Sequence, residues 1–161
     1  MIFFEHHHPL LWYLFSPILA LFLNDANVWY AARIFVLFIL AIDCFFIGKI
    51  CFLIRRDIEF ALLSILFFLL PEVVVLEGVS FRPDGLMMCF VLSGIYFLFS
   101  FFKIGKKSHL VCSFILFFLA LMASQKAVLI LFPVAVVFLY HIVAYKISLR
   151  TVCFAMMFFW H

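Results

Sequence analysis

Long apolar stretches, set apart by short charged punctuation, decide what this chain can become. Residues 28–54 carry only Arg33, Asp43 and Lys49 as charged side chains. At 1.5 Å per residue these about 27 residues reach across the ~30 Å hydrocarbon core of a bilayer with some tilt. Comparable runs follow at 58–76, 85–102, 110–123 and 127–145. They are separated by Arg55-Arg56-Asp57, by a turn at 81–85, by Lys103, Lys106 and Lys107, and by Ser124-Gln125-Lys126. A water-soluble core of this size could not hide 26 Phe residues in 161, nor a chain that is 70% apolar. Soluble domains run at ~45–50% apolar. Lipid offers no partner to backbone groups, so runs of this kind must be helical.

The sequence therefore predicts an all-α, polytopic membrane helical bundle with about five spans in one transmembrane domain, 1–161. Residues 10–23 are too short to cross; Pro17 interrupts them, and Trp12 and Tyr13 suit a membrane–water interface. They are expected to lie along one face as an interfacial helix. Residues 151–161 begin a run about half a span long. That half span, and the early Glu5 with His6, His7 and His8, lead to the expectation of a fragment of a longer chain.

Positive charge assigns the faces. Arg55 and Arg56, then Lys103, Lys106 and Lys107, then Lys146 and Arg150 fall on alternate links, and the excess of Lys and Arg marks the cytoplasmic side. The extracytoplasmic face then gathers Glu5, the three histidines, Asp25, Glu72, Glu77, Arg82, Asp84 and Lys126. The net charge of +3 is small and its cations are spread in pairs, which leaves no nucleic-acid footprint. The five cysteines all sit inside apolar runs without CxxC spacing and read as small buried hydrophobes.

Charges beside a bilayer are costly and tend to mark function. Lys126 breaks the charge bias, standing alone on the outer side between two apolar runs. Asp84 follows Arg82 and Pro83 in a turn whose proline suits the first turn of a helix. Arg33 lies near the outer end of the first span, either as a snorkelling anchor or aimed at a lipid phosphate. Asp43 is near mid-span, and Lys49 is not on its face at i+4, so a neutral or bundle-paired carboxyl is expected. His109 and His141 fall near the cytoplasmic ends and read as interfacial. Adjacent histidines at 6–8 do not converge on one metal from a helix, and no metal site is assigned. An acid, base and cation set of this kind suits chemistry on a phosphate-bearing substrate.

Four pieces in order carry a resemblance: Glu5-His6-His7-His8-Pro9-Leu10-Leu11-Trp12-Tyr13, then Ala31-Ala32-Arg33, then Arg82-Pro83-Asp84, then Gln125-Lys126-Ala127 with Pro133. Together they are similar to the early part of the GT-C membrane glycosyltransferases, in the bacterial branch of lipid A aminoarabinose transferase and the protein O-mannosyltransferase relatives. The first proline of that family's Pro-Pro-Leu motif is replaced here by His8. The resemblance implies transfer of a sugar from a polyprenyl-phosphate carrier to a lipid, glycan or protein acceptor on the extracytoplasmic side of a bacterial inner membrane. It implies that Lys126, His7, Arg33 and Arg82 hold the leaving phosphate, and that Asp84 and Glu5 orient acceptor or sugar hydroxyls. The family's first span and its first-loop aspartate precede the His-Pro motif, whereas only four residues precede Glu5 here. The chain alone is therefore expected to be inactive; no cofactor is assigned, and a divalent metal would belong to that first loop in a full-length protein. Two rival readings stand beside this one. A transporter or channel segment would line its path with Asp43, Asp84 and Lys126, and a small helical membrane protein would carry no chemistry.

Overall fold

The computed structural model describes residues 16–17, 25–71 and 83–145. Among them are five helices and no strand: α1 (Asp25–Arg55), α2 (Ile58–Leu69), α3 (Pro83–Ile104), α4 (Lys107–Ala123) and α5 (Ala127–Tyr145). Of the expected interfacial helix at 10–23 only residues 16–17 are described, both helical, and the partial run at 151–161 lies outside the described residues.

Each link has a local cause. Arg56 takes a left-handed backbone (φ 54°), and Asp57 then caps α2 by accepting a hydrogen bond from the Glu59 N–H at 2.9 Å. Arg55 lies over the Phe60 ring, 4.7 Å from its centroid, where the ring face attracts the cation. These three residues fold α2 back on α1. The helix predicted over 58–76 stops at Leu69, with the Leu70 N–H bonded to the Leu66 carbonyl. Pro71 is the reason: its ring has no N–H to continue the ladder and would clash with the carbonyl four residues back. Pro83 opens α3, two residues earlier than the apolar run suggests, because its fixed φ and missing N–H suit a first turn. Gly105 ends α3 in the left-handed region (φ 74°), its N–H bonded to the Phe101 carbonyl at 2.8 Å. Ser124, Gln125 and Lys126 form the tight link from α4 to α5.

The helices alternate in direction. The Lys103 ammonium donates to the Leu53 carbonyl at 3.0 Å, so the C-terminal ends of α1 and α3 lie together. Arg55, Arg56, Lys103, Lys106 and Lys107 thus share one end of the bundle. Asp84, at the start of α3, and Lys126, just before α5, share the other.

Two apolar clusters fill the interior. Near the Asp84 end, Ile39 of α1 packs with Leu86, Met87 and Val91 of α3, with Ala120 and Ala123 of α4 and with Ala127. Near the basic end, Leu98, Phe101, Leu110 and Phe138 pack together. Between them α3 and α4 approach closely through small residues: the Ser113 hydroxyl donates to the Gly94 carbonyl at 2.9 Å. Small side chains let helix backbones come together in this way. Ser64 and Ser93 instead return their hydroxyls to carbonyls of their own helices.

Much apolar surface faces outward. Ile34, Phe38, Phe67, Leu129, Phe132 and Tyr140 are all largely exposed. Among the described residues two helices, α1 over Tyr30–Arg55 and α3, are long and apolar enough to cross a membrane; α2, α4 and α5 contribute shorter apolar segments.

Candidate functional site

The candidate site lies at the end of the bundle where α3 begins and the α4–α5 link turns. Pro83 starts α3, so Asp84 stands in its first turn, where the helix dipole favours a carboxylate. α4 ends at Ala123, and the short link brings Lys126, forty-two residues after Asp84, to the same place. The Lys126 ammonium meets Asp84 Oδ2 at 2.6 Å. The Ser124 hydroxyl donates to Asp84 Oδ1 at 3.2 Å, so each carboxylate oxygen has its own partner. The same hydroxyl oxygen accepts the Lys126 backbone N–H at 3.4 Å, which draws the link toward the carboxylate.

Exposure differs between the partners. The Lys126 side chain is 69% exposed and that of Asp84 29%. A pair this open contributes ~0–1 kcal/mol to stability. Its chemical use is greater: an exposed ammonium with two more protons to donate can take a phosphate oxygen, and the carboxylate can accept from a hydroxyl.

Arg33 stands exposed on α1 near the same level, since Phe35 of that helix packs against the cluster of Leu86, Ala123 and Ala127. It is not joined to the pair. Glu5, His7 and Arg82, assigned to the site from sequence, lie outside the described residues. Ser124 is the neighbour of the pair that sequence reasoning did not single out. Its signal was present: a hydroxyl two residues from the solitary lysine, where the apolar run breaks.

Asp43 sits apart. It is buried on α1 beside Cys89 of α3, and its Oδ1 has no hydrogen-bond partner among the described residues. Cys89 lies about one and a half turns along α3 from Asp84. Lys49 points elsewhere, its ammonium 5.4 Å from the centroid of the Phe45 ring. His109 packs edge-on against Phe97, and His141 stacks on Phe102 at 4.5 Å between centroids, both toward the basic end. Among the described residues no three His, Cys, Asp or Glu side chains converge to hold a metal, and Cys44, Cys51, Cys89 and Cys112 are free thiols. Comparison of the chain with protein-family models, curated proteins and solved structures finds no match in any of the three.

Proposed function

We propose that these helices form the membrane-embedded part of a GT-C-type glycosyltransferase, polytopic and set in a bacterial inner membrane. Its site is the end of the bundle that holds Asp84, Ser124 and Lys126. The observation that carries this reading is the 2.6 Å contact between Asp84 and Lys126. Each belongs to a different piece of the resemblance, and the chain brings the two together from forty-two residues apart. The outward-facing apolar side chains of α1 and α5 support a lipid surround. The grouping of Arg55, Arg56, Lys103, Lys106 and Lys107 at the opposite end supports a cytoplasmic orientation for that end.

The chemistry follows from the pair. An acceptor hydroxyl attacks the anomeric carbon of a polyprenyl-phosphate sugar. The new glycosidic bond forms as the bond from that carbon to the phosphate oxygen breaks, and the carrier phosphate departs with the electron pair. That developing charge needs a cation more than covalent help. Lys126, swinging from Asp84 to the donor phosphate, supplies it. The same swing leaves Asp84 without its counter-ion, free to accept the proton of the attacking hydroxyl. Glu5, His7, Arg33 and Arg82 complete the set as hydroxyl- and phosphate-binding groups. The deciding experiment is sugar transfer in membranes carrying the full-length protein, with Lys126→Ala as the critical variant.

Sidedness has its own test. In intact cells a membrane-impermeant maleimide should label Gln125→Cys and leave Lys106→Cys unlabelled until the membrane is opened, with the native cysteines removed. The reverse pattern would put the site on the cytoplasmic side and end this reading.

Buried Asp43 favours one rival, an ion path through the bundle, because a carboxyl with an unpartnered oxygen between two spans is a common feature of transport. Under glycosyl transfer, Asp43→Asn should leave transfer unchanged, and proteoliposomes should show no proton or cation flux. A flux that Asp43→Asn removes would move the assignment to transport.

A further inference from the structure

The middle of the bundle carries a feature that sugar transfer does not use. Between α4 and α5, over α3, there is a cavity of about 170 Å³ lined by Leu98, Phe114, Phe117, Val134, Ala135 and Phe138. Its wall is almost wholly apolar; the one hydroxyl on it, Ser113, is already bonded to the Gly94 carbonyl. An apolar cavity of ~150 Å³ stays dry and takes up a molecule such as benzene, so one this size accepts a length of hydrocarbon.

The cavity lies about midway along α4 and α5, and its α4 wall begins about 10 Å from the basic end. Phe114 is seven residues into α4 from Lys107, about 10 Å along the axis. At the head of α4 stand Lys106 and Lys107, both exposed, with Lys103 in the last turn of α3. The acids of this end, Asp57 and Glu59, belong to the start of α2, which packs on α1. The charge above the cavity is therefore positive, and an apolar slot opens about 10 Å beneath it.

We infer that this slot and the cations above it hold one anionic phospholipid, its phosphate at Lys106 and Lys107 and one acyl chain between α4 and α5. The headgroup anchors by charge, and the chain fills space that the side chains leave open. The inference rests on the bilayer setting proposed above and is independent of the sugar chemistry at the other end. A lipid at this position wedges α5 against α4 and fixes the helix that follows Lys126.

Native mass spectrometry of the full chain, purified in mild detergent with equal amounts of phosphatidylglycerol and phosphatidylcholine, tests it. One phosphatidylglycerol per chain is expected to survive, preferred over phosphatidylcholine. The double variant Lys106→Gln and Lys107→Gln should lower that preference by roughly fivefold for each cation removed, while still retaining a lipid. Ala135→Trp should lose the bound lipid by filling the slot. Ala135→Leu, a milder filling, stands in if circular dichroism shows the tryptophan variant to be misfolded. Equal retention of the two lipids by the unaltered chain would overturn the inference. So would wild-type retention in a folded Ala135 variant, or a chain dimer that the same variant dissociates, which would assign the slot to a second copy. Neither position touches Asp84 or Lys126, so failure here leaves the transferase reading to its own assay.

Discussion

Lys126→Ala is expected to remove sugar transfer by about 10²–10³-fold, the usual cost of deleting one group that stabilises developing charge. The readout is movement of a labelled sugar from a polyprenyl-phosphate donor to its acceptor, in membranes carrying the full-length protein. Folding should be untouched. The lysine is 69% exposed and its partner 29%, so the pair contributes ~1 kcal/mol at most and the abandoned Asp84 carboxylate keeps water. Expression level and thermal midpoint should therefore match those of the unaltered protein while activity disappears. Asp84→Asn should fall by a similar factor, since an amide cannot take a proton from the attacking hydroxyl. The double variant should be little worse than either single one, because the two groups act as a unit. Ser124→Ala should cost less: it removes the 3.2 Å bond to a carboxylate that retains solvent access and the long 3.4 Å bond from the Lys126 N–H, but neither reacting group. Normal turnover in both Lys126→Ala and Asp84→Asn would remove the basis for glycosyl transfer.

The residues that the sequence made conspicuous are those whose cost is visible in one dimension. A charge between apolar runs stands out wherever the fold takes it, so Asp84, Lys126 and the cationic links at 55–57 and 103–107 were legible. Helix ends were less so. The run of residues 58–76 hides the stop at Leu69 because its apolar character continues past Pro71, and only the proline's backbone chemistry ends the helix. At the head of α4 the opposite happens. Lys107, Ser108 and His109 are helical although they are polar, since a helix can project beyond its apolar portion. Contacts between helices were not legible at all. That Asp43 meets Cys89, or that Ser124 reaches Asp84, depends on how far α1 and α4 slide against α3. No local pattern records that register. Ser124 was passed over because a hydroxyl at a helix end is common, and only the return of the chain into α5 gives it a carboxylate to serve.

Gly94 offers the sharpest test of that register. A Cβ built there would stand 2.5 Å from Phe117 Cε1 and 2.7 Å from Cδ1, across the contact between α3 and α4. Two effects then oppose each other in Gly94→Ala. Alanine in a helix interior is worth ~0.5–1 kcal/mol over glycine through lower backbone entropy in the unfolded chain. Overpacking a fitted contact costs ~1–3 kcal/mol. The ring must move by about an ångström to reach ordinary contact distance, away from its packing on the cluster of Leu98, Phe101, Leu110 and Phe138 and into the slot that it lines. The clash should win, so Gly94→Ala lowers the midpoint of unfolding in a denaturing-detergent titration, and Gly94→Leu separates the two helices outright. In a Phe117→Leu background the obstructing ring edge is gone, and the same Gly94→Ala change should turn stabilising. Gly48→Ala is the matched control. The only atoms near its added Cβ are the tip of Ile65, at 3.0 Å, and the next carbon, at 3.7 Å, on a side chain that can rotate aside. There the entropy gain should prevail and the midpoint should rise or hold. A rise for Gly94→Ala in the unaltered background would mean that α3 and α4 do not meet at Phe117, and the position of Lys126 over Asp84, which depends on that contact, would go with it.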